Sequence, residues 1–272
     1  MKLILMLIIL IGILVGPYLY TERKYDRSIR LQVVSSLNNV NISRKQTSEQ
    51  AGYVIVKGVN RYLTEDDLYH IFDREKIIER DHVFYLGYQG VSNATASAQG
   101  LDRLHHFVNS YLVGFMPFET DAVWVPLYTL TLQKSYMFDH LQYSGLADVW
   151  QNSRQAFYYT RGDCEDHAII LADWLIGLGR DARVVLGTVN GEGHAWVVLF
   201  MDEKEYLLEA TDKRKLRSVN DFQLAYLATE YRPEYQFNRH QFWFNTGSAM
   251  TTKYSGDHWV LKSEFVSAKN KL

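Results

Sequence analysis

Gly162-Asp163-Cys164-Glu165-Asp166-His167-Ala168 leads directly into a segment in which Ala168 to Leu178 are apolar at helical spacing, and the pattern stops at Gly179. The spacing predicts a helix, with Gly179 as its natural C′ residue. Cys164 then falls in the first turn. There it faces backbone N–H groups without intrahelical partners and the positive end of the helix dipole. Both favour thiolate over thiol, and the thiolate is the nucleophile. A free cysteine is more often a small buried hydrophobe. An inert one is seldom set between Asp163 and the pair Glu165-Asp166, so the surroundings favour a reactive thiol.

Downstream, Arg183–Val189, Ala195–Phe200 and Glu205–Ala210 read as strands, and a helix followed by antiparallel strands is an α+β order. A cysteine nucleophile needs a base, and the base needs an orienting group. Among nine histidines, His194 opens the second strand after the turn-like Asn190-Gly191-Glu192-Gly193, whereas His167 shares the helix face of Cys164 and reads as a packing residue. Side chains alternate along a strand. If Met201–Lys204 is a four-residue loop, Phe200 pairs with Glu205, and Glu209 shares a face with His194. A three-residue loop would select Asp212 instead.

Composition narrows the classes. The chain has 272 residues, 47% hydrophobic and 22% charged, with 29 basic against 31 acidic residues. That composition excludes a disordered chain, and the charge balance gives no support to nucleic-acid binding. Cys164 is the single cysteine, which excludes an intramolecular disulfide and a multi-cysteine metal centre.

Three blocks carry a resemblance: Gly162-Asp163-Cys164-Glu165-Asp166, Gly193-His194-Ala195-Trp196-Val197 and Leu208-Glu209-Ala210-Thr211. Together they resemble the transglutaminase-like superfamily of cysteine enzymes. Asp148-Val149-Trp150-Gln151 resembles, more narrowly, the bacterial transglutaminase-like cysteine proteinases. The resemblance covers about a quarter of the chain. It implies a papain-like core, the helix bearing Cys164 packed on an antiparallel sheet. It also implies acyl transfer through a thioester with Cys164, His194 and Glu209 as the catalytic set. Glu209 stands where the family usually carries Asp. The backbone N–H of Cys164 would be one oxyanion donor and a side chain, Gln151 or Trp150, the other. The chemistry requires no cofactor. Calcium is nevertheless implied, because in resembling calcium-dependent proteases the acids flanking the nucleophile bind Ca²⁺; here these are Asp163 and Glu165, with Asp166 beside them. Water as acceptor makes a protease or amidase acting on a protein or peptide substrate, and an amine makes a crosslinking transglutaminase. The alternative is a non-catalytic peptide-binding or assembly module.

At the N-terminus, Leu3–Val15 is apolar apart from Gly12 and continues through Tyr20, long enough for a membrane anchor and also for a signal segment. The missing cleavage site favours an anchor. Arg23, Lys24, Arg27 and Arg30 favour a cytoplasmic domain, but the Met-Lys start favours export, and the expected arrangement is a single-pass anchor with the domain periplasmic or extracellular. The expected organisation is a membrane segment over 1–20, a spacer over 21–62 and one catalytic domain over 63–272. Thr64 caps a helix over Glu65–Glu79, Gly87–Gly100 reads as loop and Leu101–Val113 as a second helix, giving the domain a helical N-terminal part.

Overall fold

The computed structural model describes residues 49–59, 61–75, 84–214 and 216–268. The proposed membrane segment lies outside the described residues, among which no helix is long and apolar enough to cross a membrane.

Fourteen strands are described: β1 (Gly52–Val56), β2 (Tyr62–Thr64), β3 (Phe84–Tyr88), β4 (Val91–Gln99), β5 (His105–Phe107), β6 (Ser135–Tyr136), β7 (Arg161–Gly162), β8 (Asp181–Val189), β9 (Glu192–Met201), β10 (Lys204–Leu208), β11 (Gln223–Leu224), β12 (Tyr231–Phe237), β13 (Gln241–Asn245) and β14 (Trp259–Ser267). Nine form one antiparallel sheet in the order β11-β10-β9-β8-β12-β13-β14-β1-β2. β3-β4-β5 is a small separate sheet, and β6 pairs with β7 in parallel.

The Cys164–Gly177 helix packs against β8 and β9. Eleven of its residues, Glu165 to Leu175, are buried, so apolar side chains occupy every face, as in a central core helix. It closes with Leu178 donating to the Trp174 carbonyl and Arg180 to that of Leu175, around Gly179 at φ +75°. The fold is therefore mixed, a cysteine-bearing helix on a large antiparallel sheet.

The hairpins around β9 fix the register. Val189 pairs with Glu192 across Asn190-Gly191, and Met201 with Lys204 across Asp202-Glu203. All four turn residues have positive φ, the backbone that suits two-residue hairpins. The second loop is thus two residues rather than four, and Phe200 still opposes Glu205.

The N-terminal expectations need correction. β1 lies inside the proposed spacer yet pairs with β14 in the main sheet. Between 49 and 111 the only described α-helix is Glu65–Glu75, capped as expected by Thr64 and Asp67, whose side chains each accept from the other's backbone N–H. The region is not helical overall. Gly87–Gly100 is mostly strand: Ala94, Thr95, Ala96, Ser97 and Ala98 are all buried, and such small residues carry almost no hydrophobic period. The segment expected as the second helix begins instead with a turn, where Asp102 accepts from the Leu104 amide and Arg103 takes φ +67°, and then becomes β5. Its Phe107 joins Val54, Leu63, Leu68 and Phe265 in a second core.

Candidate active site

Cys164 begins its helix partly exposed, and its thiol lies against the carboxylate of Glu165, Sγ to Oε2 being 3.4 Å. His194 reaches the same thiol from β9 with a side-chain hydrogen bond. It pairs with Gly187 on β8, inside the strand and partly shielded rather than at an exposed sheet end. Its Nε2 donates to Oε2 of Glu209 at 2.8 Å, which leaves Nδ1 for the sulfur. Strand alternation explains the reach, since Leu208 opposes Val197 and Glu209 follows on the His194 face.

Burial opposes charge on His194, but the hydrogen bonds it makes to Cys164 and Glu209 outweigh it and raise its pKa to about 10. Burial likewise works against ionised Glu209. The donors from His194 and Thr211 together still hold it below the usual carboxylate range. The pair is therefore arranged as imidazolium and carboxylate.

Glu209 accepts from four donors. Oε1 takes the Thr211 amide at 3.1 Å and the Thr211 hydroxyl at 2.6 Å, while Oε2 takes His194 and, at 3.0 Å, the hydroxyl of Tyr231. Tyr231 was not visible as a site residue in the sequence, because its strand reaches the site only through β8. Asp212 is engaged elsewhere, accepting from the backbone and guanidinium of Arg214. His167 is fully buried and bonded through Nδ1 to the Ala210 carbonyl, and burial drives its pKa down to about 3. It packs, as expected.

Gln151 is not placed as an oxyanion donor. Its side chain is fully buried and spends its amide group on the Arg161 carbonyl at 2.9 Å and the Tyr143 hydroxyl at 2.8 Å. Trp150 donates its indole N–H to Asp148. Both are packing residues here.

Beside the thiol, ligand oxygens of Asp139, Asp163, Glu165 and Asp166 all lie within 4.8 Å of one another. Each residue has one buried oxygen without a hydrogen-bond partner: Asp139 Oδ1, Asp163 Oδ1, Glu165 Oε1 and Asp166 Oδ2. Asp163 is the N-cap residue, yet its side chain does not cap the helix. Burial first, and then mutual repulsion, raises the pKa of Glu165 and Asp166 well above normal and that of Asp139 to about 8. Lys134 lies nearby, but its ammonium donates to the Ala156 and Tyr159 carbonyls. Three buried carboxylates and the partly buried Asp163, with ligand oxygens this close together, fit a hard divalent cation such as Ca²⁺, with carbonyls or water completing the shell. Asp139 is the member missed in the sequence. The parallel β6–β7 pairing brings its segment beside Gly162, and no local spacing could show that.

Residues 148–263 match the family model of the CEP76 peptidase-like domain, a span that contains Cys164, His194, Glu209 and Tyr231. Sixty-two residues are 37% identical to human protein CC2D2B, covering 23% of this chain and 4% of that protein. The centrosomal protein of 76 kDa matches at 38% over 55 residues in Xenopus tropicalis, covering 20% of this chain and 8% of the relative. In Danio rerio it matches at 40% over 52 residues, covering 19% and 8%. The matched stretches thus span less than a tenth of these relatives' length. Among solved structures, calcium-bound LapG of Legionella pneumophila is similar with 18% identity and a TM-score of 0.38, covering 56% of this chain and 81% of that one.

Proposed function

We propose that this chain is a thiol hydrolase that cleaves protein or peptide amide bonds through a thioester on Cys164. The observation that carries the reading is the continuous line from thiol to imidazole to carboxylate, Cys164–His194–Glu209. The match to a peptidase-like domain over the same residues supports it.

In the forward step the proton of Cys164 already sits on Nδ1 of the His194 imidazolium, and the sulfur bonds to the substrate carbonyl carbon while the carbonyl π electrons move to its oxygen. Glu209 holds that imidazolium in place. The Cys164 backbone N–H, at the helix start, faces the developing oxyanion. As the tetrahedral state collapses, the C–N bond breaks and His194 returns the proton to the departing amine. Water then bonds to the thioester carbon, His194 accepts a water proton, and the C–S bond breaks. That proton restores the His194 imidazolium beside the freed sulfur, the acid product leaves, and the balance is one amide and one water to one acid and one amine.

Asp139, Asp163, Glu165 and Asp166 would hold Ca²⁺. When bound, the ion would let these carboxylates ionise and would offset the negative charge they then place beside Cys164. We further propose that residues 3–20 hold the domain at a membrane on its exported side. Reporter fusions after Arg30 test this, and a reporter active only in the cytoplasm overturns it.

One observation favours the competing reading, a non-catalytic peptide-binding module: the amide expected as second oxyanion donor is already committed. Labelling with a thiol-directed peptide electrophile separates the two. A hydrolase is modified at Cys164 in a manner dependent on His194 and is protected by its substrate. Labelling indifferent to His194→Ala overturns the enzymatic reading.

A further inference from the structure

A glutamate in place of aspartate lengthens the arm that carries the carboxylate and adds a rotatable bond. Its oxygen facing the base therefore needs an anchor of its own. Thr211 pins Oε1 with two donors, but a carboxylate held at one oxygen alone can still swing the other away from His194. The second oxygen is held by Tyr231. Its hydroxyl donates to Oε2 at 3.0 Å, the same atom that accepts from His194 Nε2 at 2.8 Å.

The placement of Tyr231 follows from the sheet. Tyr231 pairs with Val189 on β8 and His194 with Gly187, two residues apart on that strand, so both side chains emerge on one face. The tyrosine ring is immobilised edge-on against Trp196, centroids 5.0 Å apart, and stands 6.4 Å from the His194 ring. Burial, and then the charge of Glu209, push its phenol well above its ordinary pKa, so it stays a proton donor.

We infer that Tyr231 is a positioning residue for the acid–base pair: its hydroxyl fixes Oε2 of Glu209 and thereby the imidazole of His194 against Cys164. This rests on reading Cys164, His194 and Glu209 as the working set. Tyr231 touches neither the thiol nor the substrate carbonyl in that scheme and acts only through Glu209.

The test uses the full chain and two readouts that need no substrate. One is the rate of Cys164 alkylation by iodoacetamide at pH 7; the other is the hydrogen-bonded Nε2–H proton resonance of His194. Tyr231→Phe keeps the ring and removes only the hydroxyl. The expected result is alkylation about three- to tenfold slower, as loss of a charge-assisted hydrogen bond implies, with the His194 resonance moved upfield. Tyr254→Phe is the control, because that hydroxyl accepts from the Trp196 indole without touching Glu209; both readouts should stay at wild-type values. The inference is overturned if Tyr231→Phe leaves both readouts unmoved, and equally if Tyr254→Phe shifts them as far. If His194→Ala and Glu209→Gln slow alkylation while Tyr231→Phe does not, the inference fails alone. If His194→Ala has no effect, the proposed function fails and takes the inference with it.

Discussion

Gly162 lies so close to Asp166 that a β-carbon added to the glycine would stand inside contact distance of the carboxylate. This glycine pairs with Tyr136 across β6 and β7, and Asp166 is one of the four clustered acids. Gly162→Ala must displace Asp166 or the backbone. The expected cost is about 1–3 kcal/mol of stability from overpacking, together with weaker calcium uptake. Thermal unfolding with and without calcium checks it. An unchanged calcium response would show that Asp166 is not needed for the ion.

Calcium itself should stabilise the fold. Binding to the native state alone contributes about 2.7 kcal/mol at a hundredfold excess over Kd. Asp139→Asn should abolish most of that gain in a denaturant titration. In chelator the acids give a pH dependence of definite sign. Asp139 is raised to about 8, so the native state binds more protons than the unfolded chain between about pH 4 and 8, and stability falls as pH rises through that window. Calcium should flatten the slope. A chelated protein equally stable at pH 5 and pH 8 would contradict the burial of these groups.

His106 gives a second pH dependence, away from the thiol. Burial lowers its pKa, but Asp102 at 2.9 Å and Glu65 at 3.6 Å outweigh that and raise it to about 9. The charged form is thus stabilised by folding. Its contribution is full below about pH 6.5 and is lost as pH rises to about 9. With both carboxylates partly exposed, a screened value on the order of 1–2 kcal/mol is expected. His106→Gln should flatten the unfolding profile between pH 6.5 and 9 relative to wild type.

Asp173, fully buried on the Cys164–Gly177 helix, accepts from Arg239, Ser153 and the amides of Gly114 and Phe115. Arg239→Ala leaves that carboxylate without its counter-charge. A loss of about 3–5 kcal/mol is expected in chemical denaturation. Asp173→Asn should cost less, because an amide oxygen still accepts from the two backbone N–H groups and no charge is left buried.

The part of the chain around Cys164 was legible because its signals are local. The helix pattern ends at one glycine, and the β9–β10 pairing follows from which residues oppose across a short turn, so even a wrong loop length left Phe200 opposite Glu205. What stayed hidden depends on long-range pairing. β1 joins β14 across most of the chain, Asp139 meets the acidic cluster through β6 and β7, and Tyr231 reaches Glu209 by way of β8. The small residues Ala94–Ala98 hid β4 for a different reason, since alanine, serine and threonine signal neither face. The chemistry of Gln151 suits an oxyanion donor, while its hydrogen bonds to Tyr143 and Arg161 appear only in three dimensions.

The Asp202-Glu203 turn has a kinetic consequence. It closes the connection between the strand carrying His194 and the segment carrying Glu209 with two residues, so their contact needs little chain closure. Hairpins of this kind form in about 1–10 μs, whereas β1 must wait for β14 across most of the sequence. The base and its acid are therefore expected to meet early in folding, before the sheet is complete. A nascent or partly unfolded chain would hold the imidazole–carboxylate pair without a docked nucleophile. Reactivity at Cys164 should then be acquired late, when its helix settles on β8 and β9, so that refolding followed by alkylation rate lags behind refolding followed by formation of this hairpin.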